Sequence, residues 1–596
     1  MSTRQQAPLP AARRRVYMAV TLLLPLLLIG GLELGLRWAG VGELEPLFIP
    51  HPAHPEWSMA NPRVVDRFVS HPGQAPNVSI ETGFFRTRKN PGALRVVVQG
   101  GSSAAGFPYG YGASLAGMLE QRLRREFPER EIEVVTTAMS AVNSWALREF
   151  VPEILAIDPD AVLIYAGHNE FLGLLGVGST YTVGSAPLTR LVMKLRHVRI
   201  YRALEGVIAG RLGSTRAIPG DGTLMARVAA ERRIPLDSAL YRAGVKQFDA
   251  NMRDIVARYR AAGVPVFIST LASNERDQPP FESEEPAAAR DALAGVEAAL
   301  AQGETGQALA RAEALRAQYP GSALAWFRFG EALAANGNVA DAADAWRKAR
   351  DLDQLRFRAP SEFNDLLARI GAQPGVMLVD TATRFRTRSD DGSIGNELML
   401  EHLHPNVDGY FLLADTFHAA ILEAGLLAPA SRALPEAVAR REVPLSRAEE
   451  RFGDYKVLRL KNDWPFADPP RETVLPTPAN LEEELAQAMY RQQVDWARMQ
   501  DRLKQHYRMQ GNREEYLRLA LILADAFPFI AEAQRDAGEA LRAAGRPVQA
   551  VRYLQRATAY APGDARALRA FEEVARSLGL VEQADKAQER LRGLGP

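Results

Sequence analysis

Residues 94–106 read LRVVVQGGSSAAG, an apolar run of strand length followed by two glycines and two serines. The run Leu94–Val98 predicts a buried β-strand, and the small residues after it predict a sharp turn into a helix. Such a turn exposes a hydroxyl beside free backbone N–H groups, which suits a nucleophile. A phosphate-binding glycine loop or a plain tight turn has the same composition, so both stay open.

Four further apolar runs follow and alternate with helical patterns. They are Ile132–Val135, Ala161–Tyr165, Val264–Ile268 and Val376–Val379. The third run of the chain, Ala161–Tyr165, is apolar throughout, as expected for a parallel strand covered on both faces. Alternating strands and helices predict an α/β fold with a three-layer parallel sheet. Ligands bind such sheets beyond the carboxyl ends of the strands.

The sequence YAGHNEF lies at one of these strand ends, at residues 165–171. Asn169 can aim its side-chain amide at a developing oxyanion. Asn in a loop between a strand and a helix is more often a turn or capping residue, and that alternative stays open.

The sequence EHLHPN, at residues 401–406, is the third motif. Glu401 and His404 lie three positions apart, so one turn can let the carboxylate orient the imidazole. His402 and His404 could instead bind a metal ion, but no further cluster of metal ligands is apparent in the sequence. We expect no metal and no cofactor.

The N-terminal region carries an uncharged segment of 17 residues, Val16–Leu32, directly after three arginines at 13–15. A helix needs about 20 residues to cross the hydrocarbon core of a membrane. The arginines predict a cytoplasmic N-terminus, with the later domains on the periplasmic or extracellular side. A cleaved signal peptide is the alternative, although no small-x-small cleavage site follows the segment.

An Ala-rich helical region at residues 284–355 interrupts the α/β pattern, and its marker residues recur every 34 residues. This spacing separates Gly303 from Gly337 and, near the C-terminus, Gly511 from Gly545 and Gly545 from Gly579. A period of 34 is typical of tetratricopeptide repeats, with a generic Ala-rich bundle as the alternative. We therefore expect a protein partner for the repeats.

Composition excludes several classes of protein. With 596 residues, 47% of them hydrophobic, the chain is too long for one compact domain. Its net charge of +1 provides no basic field for binding nucleic acid. The absence of cysteine excludes thiol catalysis, disulfides and zinc–thiolate sites.

These features divide the chain into five parts. We expect a cytoplasmic N-terminus with a transmembrane anchor at 1–40, an extended approach segment at 41–90, an α/β domain at 91–425 with inserted repeats at 284–355, a linker at 426–480, and an all-α repeat domain at 481–596. The linker is rich in proline and charge, as connectors between domains often are.

Taken in order, the three motifs resemble those of the SGNH superfamily, the GDSL-type esterases, lipases and acyl-transfer enzymes. The resemblance covers roughly residues 90–425 and is interrupted by the repeats. With its anchor and repeats, the chain is similar to membrane-anchored bacterial proteins that combine an SGNH domain with tetratricopeptide repeats. The resemblance implies a flavodoxin-like sheet.

The resemblance also implies a role for each motif residue. Where the family has Gly-Asp-Ser, this chain has Gly100, Gly101 and Ser102, which makes Ser102 the nucleophile and Ser103 the fallback. Ala141 stands where the family has a glycine whose N–H joins the oxyanion hole. The N–H of Ser102 belongs to the same hole.

The motifs at residues 165–171 and 401–406 complete the site that the resemblance implies. Gly167 and Asn169 match the family's Gly-x-Asn-Asp, with Asn169 in the oxyanion hole. Glu401 and His404 match Asp-x-x-His, so His404 is the base and Glu401, one methylene longer than Asp, its orienting acid.

The implied activity is hydrolysis of an ester by a Ser-His-Glu triad. The outward orientation suggests O-acyl or O-acetyl groups on envelope glycans or lipids as substrates. Two alternatives remain: an O-acyltransferase that uses the same site, and a catalytically silent scaffold whose repeats bind an envelope protein.

Overall fold

The computed structural model describes residues 10–70, 75–81, 83–212, 223–427 and 433–594. The chain divides into two compact units. The smaller unit comprises Met1–Pro46, Arg63–Asn77 and Val183–Ile218, and the larger unit comprises Leu47–Pro62, Val78–Thr182 and Pro219–Pro596.

The described residues of the larger unit form two sheets. A small antiparallel sheet contains β1 (Phe48–Pro50), β2 (Trp57–Ala60) and β3 (Phe85–Arg86). The main sheet contains β4 (Leu94–Gly100), β5 (Ile132–Thr136), β6 (Ala161–Tyr165), β7 (Val266–Ser269) and β8 (Val376–Val379). Its strands are all parallel and lie in the order β5-β4-β6-β7-β8, which is the flavodoxin-like order. The predicted parallel α/β fold is confirmed.

In the described part of the chain up to β7, eight helices come before or between these strands. They are α1 (Ala11–Trp38), α2 (Ser102–Ala105), α3 (Leu115–Glu126), α4 (Ser144–Ala156), α5 (Ala186–Leu195), α6 (Arg199–Leu212), α7 (Leu224–Val228) and α8 (Ala239–Ala261). Short 3₁₀ helices lie at Val64–Phe68 and Tyr111–Ala113. Every residue of β4, β5, β6 and β7 is buried, because helices cover the sheet.

Four helices follow β7 and form the two inserted helix pairs. They are α9 (Ala287–Ala301), α10 (Thr305–Gln318), α11 (Ala323–Ala335) and α12 (Val339–Leu352). Gly337 has a φ of +82° and ends the first helix of the second pair. A Cβ at Gly330 would lie 2.6 Å from Nε1 of Trp346, so glycine is required where α11 and α12 pack closely.

The chain then returns to the sheet with β8 and continues into residues 426–480, the predicted linker. The next helices are α13 (Ser361–Gly371), α14 (Thr381–Arg388), α15 (Val407–Glu423), α16 (Glu436–Arg441) and α17 (Arg447–Lys461). Helices α3, α14 and α15 form one packed group, and α4, α8 and α13 form another. These groups are the outer layers of a three-layer fold.

The C-terminal region is entirely helical where the structure describes it. It contains α18 (Leu481–Tyr490), α19 (Trp496–Gln510), α20 (Arg513–Ala526), α21 (Ala531–Ala543), α22 (Pro547–Tyr560), α23 (Ala565–Ser577) and α24 (Val581–Gly593). The glycines between paired helices, Gly511, Gly545 and Gly579, all have φ near +70°. The 34-residue period therefore reflects three consecutive helix pairs.

The smaller unit contains α1, α5 and α6. Helix α1 is 28 residues long, has a mean hydropathy of 2.1 over its most apolar window, and has no buried residue. It is long and apolar enough to cross a membrane, and a signal sequence has the same properties.

Candidate active site

The loop after β4 and the loop before α15 bring together two residues that are 302 positions apart. Oγ of Ser102, the first residue of α2, lies 2.8 Å from Nε2 of His404. Ser102 is half-buried and His404 is buried. A hydroxyl hydrogen-bonded to an imidazole nitrogen is the arrangement in which the imidazole can take the hydroxyl proton.

Glu401 lies on the other side of the His404 ring. Its carboxylate contacts Nδ1 of His404 and accepts the backbone N–H of His404 at 3.1 Å. With its Nδ1–H donated to the carboxylate, His404 presents Nε2 as the acceptor for Ser102. The three predicted residues Ser102, His404 and Glu401 thus form one continuous chain of hydrogen bonds.

The Glu401 carboxylate also contacts a second imidazole, since its other oxygen meets Nδ1 of His402. Burial by itself would raise the pKa of Glu401, but His402 and His404 outweigh burial and hold that pKa well below its usual range. Glu401 is therefore ionised. The three side chains offer metal-ligand atoms within 4.8 Å of one another, yet both Nδ1 atoms face the carboxylate and Nε2 of His404 faces Ser102.

Ser103, the fallback nucleophile, points elsewhere. It is buried, and its Oγ donates to the backbone carbonyl of Leu403 at 3.3 Å. The two adjacent hydroxyls therefore have different neighbours: Ser102 contacts the imidazole, while Ser103 tethers the loop of Glu401 and His404.

The residues predicted for an oxyanion hole have N–H groups to donate. Neither the N–H of Ser102 nor that of Ala141 has a hydrogen-bond partner in the described part of the chain. Nδ2 of Asn169 uses one hydrogen for the carbonyl of Val142, at 3.0 Å, and has a second hydrogen to donate. A Cβ at Gly101 would lie 2.8 Å from this Nδ2, so glycine at 101 lets the Asn169 amide approach the residue next to Ser102.

Gly167 permits the close packing of the loop that carries Asn169. A Cβ at this position would lie 2.4 Å from Cδ1 of Leu271 and 3.4 Å from Cζ of Phe248. The absence of a side chain at 167 therefore lets this loop pack against Leu271, which follows β7, and against Phe248 on α8.

Ala141, where the resemblance implies glycine, has a φ of +63°. Its carbonyl accepts the N–H of Leu174 at 2.7 Å, which ties the turn to the loop after β6. The left-handed conformation costs a residue with a Cβ about 1–2 kcal/mol. The chain therefore keeps the glycine-like backbone at 141 and bears a small strain.

Ala141→Gly is expected to raise the free energy of unfolding by about 0.5 kcal/mol, because relief of the strain slightly exceeds the entropy that glycine loses on folding. Turnover should persist, since the N–H stays in place. The control is Ala138→Gly in the same loop, where φ is not positive, and this change should destabilise the protein. The free energies of unfolding are measured by denaturant unfolding. Equal losses of stability in the two variants would contradict the claim that the backbone at Ala141 is strained.

Glu170 is a residue of this site that the motif analysis did not single out. It is fully buried and accepts the N–H of Ser144 at 3.0 Å, Oγ–H of Ser144 at 2.8 Å and Nε2–H of Gln247 at 2.7 Å. Ser144 begins α4, directly after the loop of Ala141. Glu170 thereby joins the loop of Asn169 to the turn that carries Ala141. Its position beside Asn169 was the available signal in the sequence.

Burial raises the pKa of Glu170 to about 7, above its ordinary value of 4.5. Between these values the folded chain binds more protons than the unfolded chain, so stability falls as pH rises, by at most ~1.4 kcal/mol per pH unit. We expect the melting temperature of the native protein to fall from pH 5 to pH 8, and to fall less in Glu170→Gln. Glu284→Gln, at an exposed position, should keep the native slope; equal slopes in all three proteins would contradict this assignment.

Aromatic rings enclose His402. They are Phe281 at 5.3 Å, Phe466 at 5.5 Å and Phe357 at 6.0 Å between ring centroids. Phe281 precedes the inserted helix pairs and Phe357 follows them, so residues on both sides of the insertion contact His402, between Glu401 and His404. Burial lowers the pKa of His402, which favours a neutral ring that donates Nδ1–H to Glu401.

His168, inside the YAGHNEF motif, is buried against the segment of Phe357 and Ala359, which follows the insertion. Its Nδ1 accepts the N–H of Ala359 at 3.1 Å. Burial, with His402 and His404 contributing, lowers its pKa to about 3, so the ring is neutral. His168 therefore holds the segment after the insertion against the loop after β6. Among the described residues it makes no contact with Ser102.

Comparison with known proteins returns only structural neighbours. No protein-family model matches the chain, and no curated protein matches it. An acetyl xylan esterase aligns over 55% of this chain and 100% of its own, with 9% identity and a TM-score of 0.27. A GDSL-like lipase from Parabacteroides merdae aligns over 56% and 98%, with 12% identity and a TM-score of 0.26.

A protein of the repeat type is also among the structural neighbours. A mutant of MamA, a tetratricopeptide-type protein, aligns over 20% of this chain and 81% of its own, with 22% identity and a TM-score of 0.17.

Proposed function

We propose that the protein is a membrane-anchored serine esterase of the SGNH type. The observation that carries the proposal is the hydrogen-bonded chain from Ser102 through His404 to Glu401, which combines a 2.8 Å Oγ–Nε2 contact with a buried carboxylate on Nδ1. A half-buried serine has no structural need of such a chain, whereas an acyl-transfer nucleophile does.

In the acylation step, Oγ of Ser102 attacks the ester carbonyl carbon while Nε2 of His404 takes the hydroxyl proton. The resulting imidazolium is stabilised by the Glu401 carboxylate. When the tetrahedral intermediate collapses, the C–O bond to the alcohol breaks, and His404 returns its proton to the leaving alkoxide. The products are a free alcohol and an acyl-Ser102 ester.

The oxyanion formed in each step is proposed to accept three hydrogen bonds, from the N–H groups of Ser102 and Ala141 and from Nδ2–H of Asn169. In the second step His404 activates water, which releases the acid and regenerates Ser102. The same site becomes an acyltransferase if a sugar or lipid hydroxyl replaces water. The mechanism requires neither a metal nor an organic cofactor.

The proposed substrate class follows from location. If α1 is an uncleaved anchor with its arginines in the cytoplasm, the α/β domain and the repeats lie outside the membrane. O-acyl or O-acetyl groups on envelope glycans or lipids are the esters available there. The helix pairs at 284–355 and 481–596 are proposed to bind a protein partner.

The test uses the purified full-length chain with p-nitrophenyl acetate and butyrate, together with covalent labelling by a fluorophosphonate. An esterase should label and turn over at least one ester. Labelling without steady-state hydrolysis, followed by ester formation when an alcohol acceptor is added, would identify a transferase instead. A protein that neither labels nor hydrolyses would leave the repeat scaffold as the better proposal.

Asn169→Ala is expected to lower kcat by about 100- to 1,000-fold, the usual effect of removing one oxyanion donor. The matched control is Asn143→Ala, because Asn143 caps α4 by accepting the N–H of Trp145 at 3.1 Å. The control should lose about 1 kcal/mol of stability and keep most of its kcat. If Asn169→Ala behaves like the control, Asn169 is only a turn residue.

A further inference from the structure

Helices α5 and α6 of the smaller unit expose large apolar side chains. The exposed fractions are 45% for Leu188 and 51% for Leu191 on α5, and 56% for Leu204, 51% for Val207 and 54% for Ile208 on α6. Spacings of three and four residues place each set on one face of its helix. Single exposed leucines are ordinary, but one-sided sets on two consecutive helices mark an interaction surface.

An ion pair connects α5 and α6 on faces other than the apolar ones. Arg196, at the end of α5, is buried, and its Nη2 lies 2.8 Å from Oε1 of Glu205 on α6. Thr189 and Met193 of α5 are also buried. The apolar faces are therefore exposed in helices that already pack through their other sides.

Helix α6 is attached to the end of α1. The Glu33 carboxylate accepts the N–H groups of Arg199 at 3.0 Å and Ile200 at 3.1 Å, the first two residues of α6. These N–H groups have no partner within their own helix, and a carboxylate at a helix N-terminus is also favoured by the helix dipole. The start of α6 is thus held at the level of Glu33.

Glu33 marks a boundary along α1. The uncharged segment Val16–Leu32 precedes it and spans about 25 Å as a helix. Arg37 and Trp38 follow, and both residue types are common at the interface between lipid and water. If α1 crosses the membrane as proposed, α6 begins where the hydrocarbon core ends.

The charge around the apolar faces suits a lipid surface. From Ala186 to Leu212 the sequence has six basic residues and one acidic residue. Arg190 and Lys194 are exposed and lie beside the apolar face of α5. An apolar face with a basic margin is the pattern of helices that lie in the interface of an anionic membrane.

We propose that α5 and α6 lie at the interface between lipid and water on the non-cytoplasmic side of the membrane that α1 crosses. The side chains inserted among the lipids are those of Leu188, Leu191, Leu204, Val207 and Ile208. The inference depends on the anchor in the proposed function. It adds a second lipid contact to that of α1. The smaller unit would then be attached to the bilayer both by the anchor and by the surface of α5 and α6.

The absence of cysteine from the chain allows a direct test. Full-length Leu204→Cys and Val207→Cys, each labelled with the fluorophore NBD, are placed in nanodiscs of phosphatidylcholine and phosphatidylglycerol that contain doxyl-labelled lipids. We expect strong quenching at both positions. The matched control is Ile530→Cys, an apolar position of the larger unit that is 45% exposed and should not be quenched.

A reference variant separates the inference from the anchor. Leu24→Cys in α1 should be quenched if α1 is in the bilayer, and lack of quenching there would reject the anchor itself. If the label at 24 is quenched while the labels at 204 and 207 are unquenched and exposed to water, the lipid contact of α5 and α6 is overturned and the anchor stands. Blue-shifted but unquenched labels would also overturn it, because protein, such as a second copy, would then cover the surface. Leu188→Cys on α5 replaces any variant that does not fold.

Discussion

Ser102→Ala is expected to abolish fluorophosphonate labelling and to lower ester turnover by about 10,000-fold or more, the usual effect of removing a triad nucleophile. The physical reason is that, among the described residues, only the Ser102 hydroxyl forms a hydrogen bond with Nε2 of His404, at 2.8 Å. Without that hydroxyl no acyl-enzyme forms, and the remaining groups only polarise the carbonyl.

The neighbouring serine provides the matched control. Ser103→Ala removes a hydroxyl of the same size, one residue away, that donates to the carbonyl of Leu403 at 3.3 Å. We expect this variant to label and to turn over esters at near-native rates, with a loss of about 1 kcal/mol of stability. The opposite pattern, with labelling lost in Ser103→Ala and kept in Ser102→Ala, would transfer the nucleophile to Ser103.

Glu401→Gln is expected to lower kcat by about 10,000-fold while the protein stays folded. The native carboxylate meets Nδ1 of both His402 and His404 and accepts the N–H of His404 at 3.1 Å. An amide has one oxygen and one NH₂ group, so it cannot accept from both imidazoles. If the NH₂ group faces His404, the proton of that ring moves to Nε2, which can then no longer accept from Ser102.

Glu401→Asp tests whether the charge or the reach of the side chain matters. It keeps the carboxylate but is one methylene shorter, so we expect activity between that of the native protein and that of Glu401→Gln. The measurements are kcat for p-nitrophenyl butyrate and the rate of fluorophosphonate labelling, with circular dichroism as the folding control. Native kcat in Glu401→Gln would show that His404 acts without an orienting acid.

Much of the fold could be predicted because its elements are encoded locally. Five short apolar runs identified the strands of the sheet, and four of those strands are buried at every residue. The 34-residue spacing identified the helix pairs because a glycine with positive φ recurs between paired helices, as at Gly303 and Gly337. Periodic burial and left-handed turns leave a direct mark on the sequence.

Other features of the candidate site depend on contacts that no local pattern encodes. Glu170 looks like an ordinary loop residue in the sequence. In the structure it is buried and accepts three hydrogen bonds, two from Ser144 and one from Gln247. The rings around His402 come from residues before and after an insertion of more than sixty residues. Such contacts arise from the order of the strands and the paths of the loops.

The sequence by itself determined the class of fold, the repeats, the apolar N-terminal helix and the residues proposed for the triad, because each leaves a periodic or motif signal. Only the tertiary structure decided which of two adjacent serines contacts His404, and that one carboxylate serves two imidazoles. It also decided that Ala141 takes the backbone of a glycine. The reason is physical: a side chain's direction at a sharp turn depends on loops that meet across 302 residues of chain.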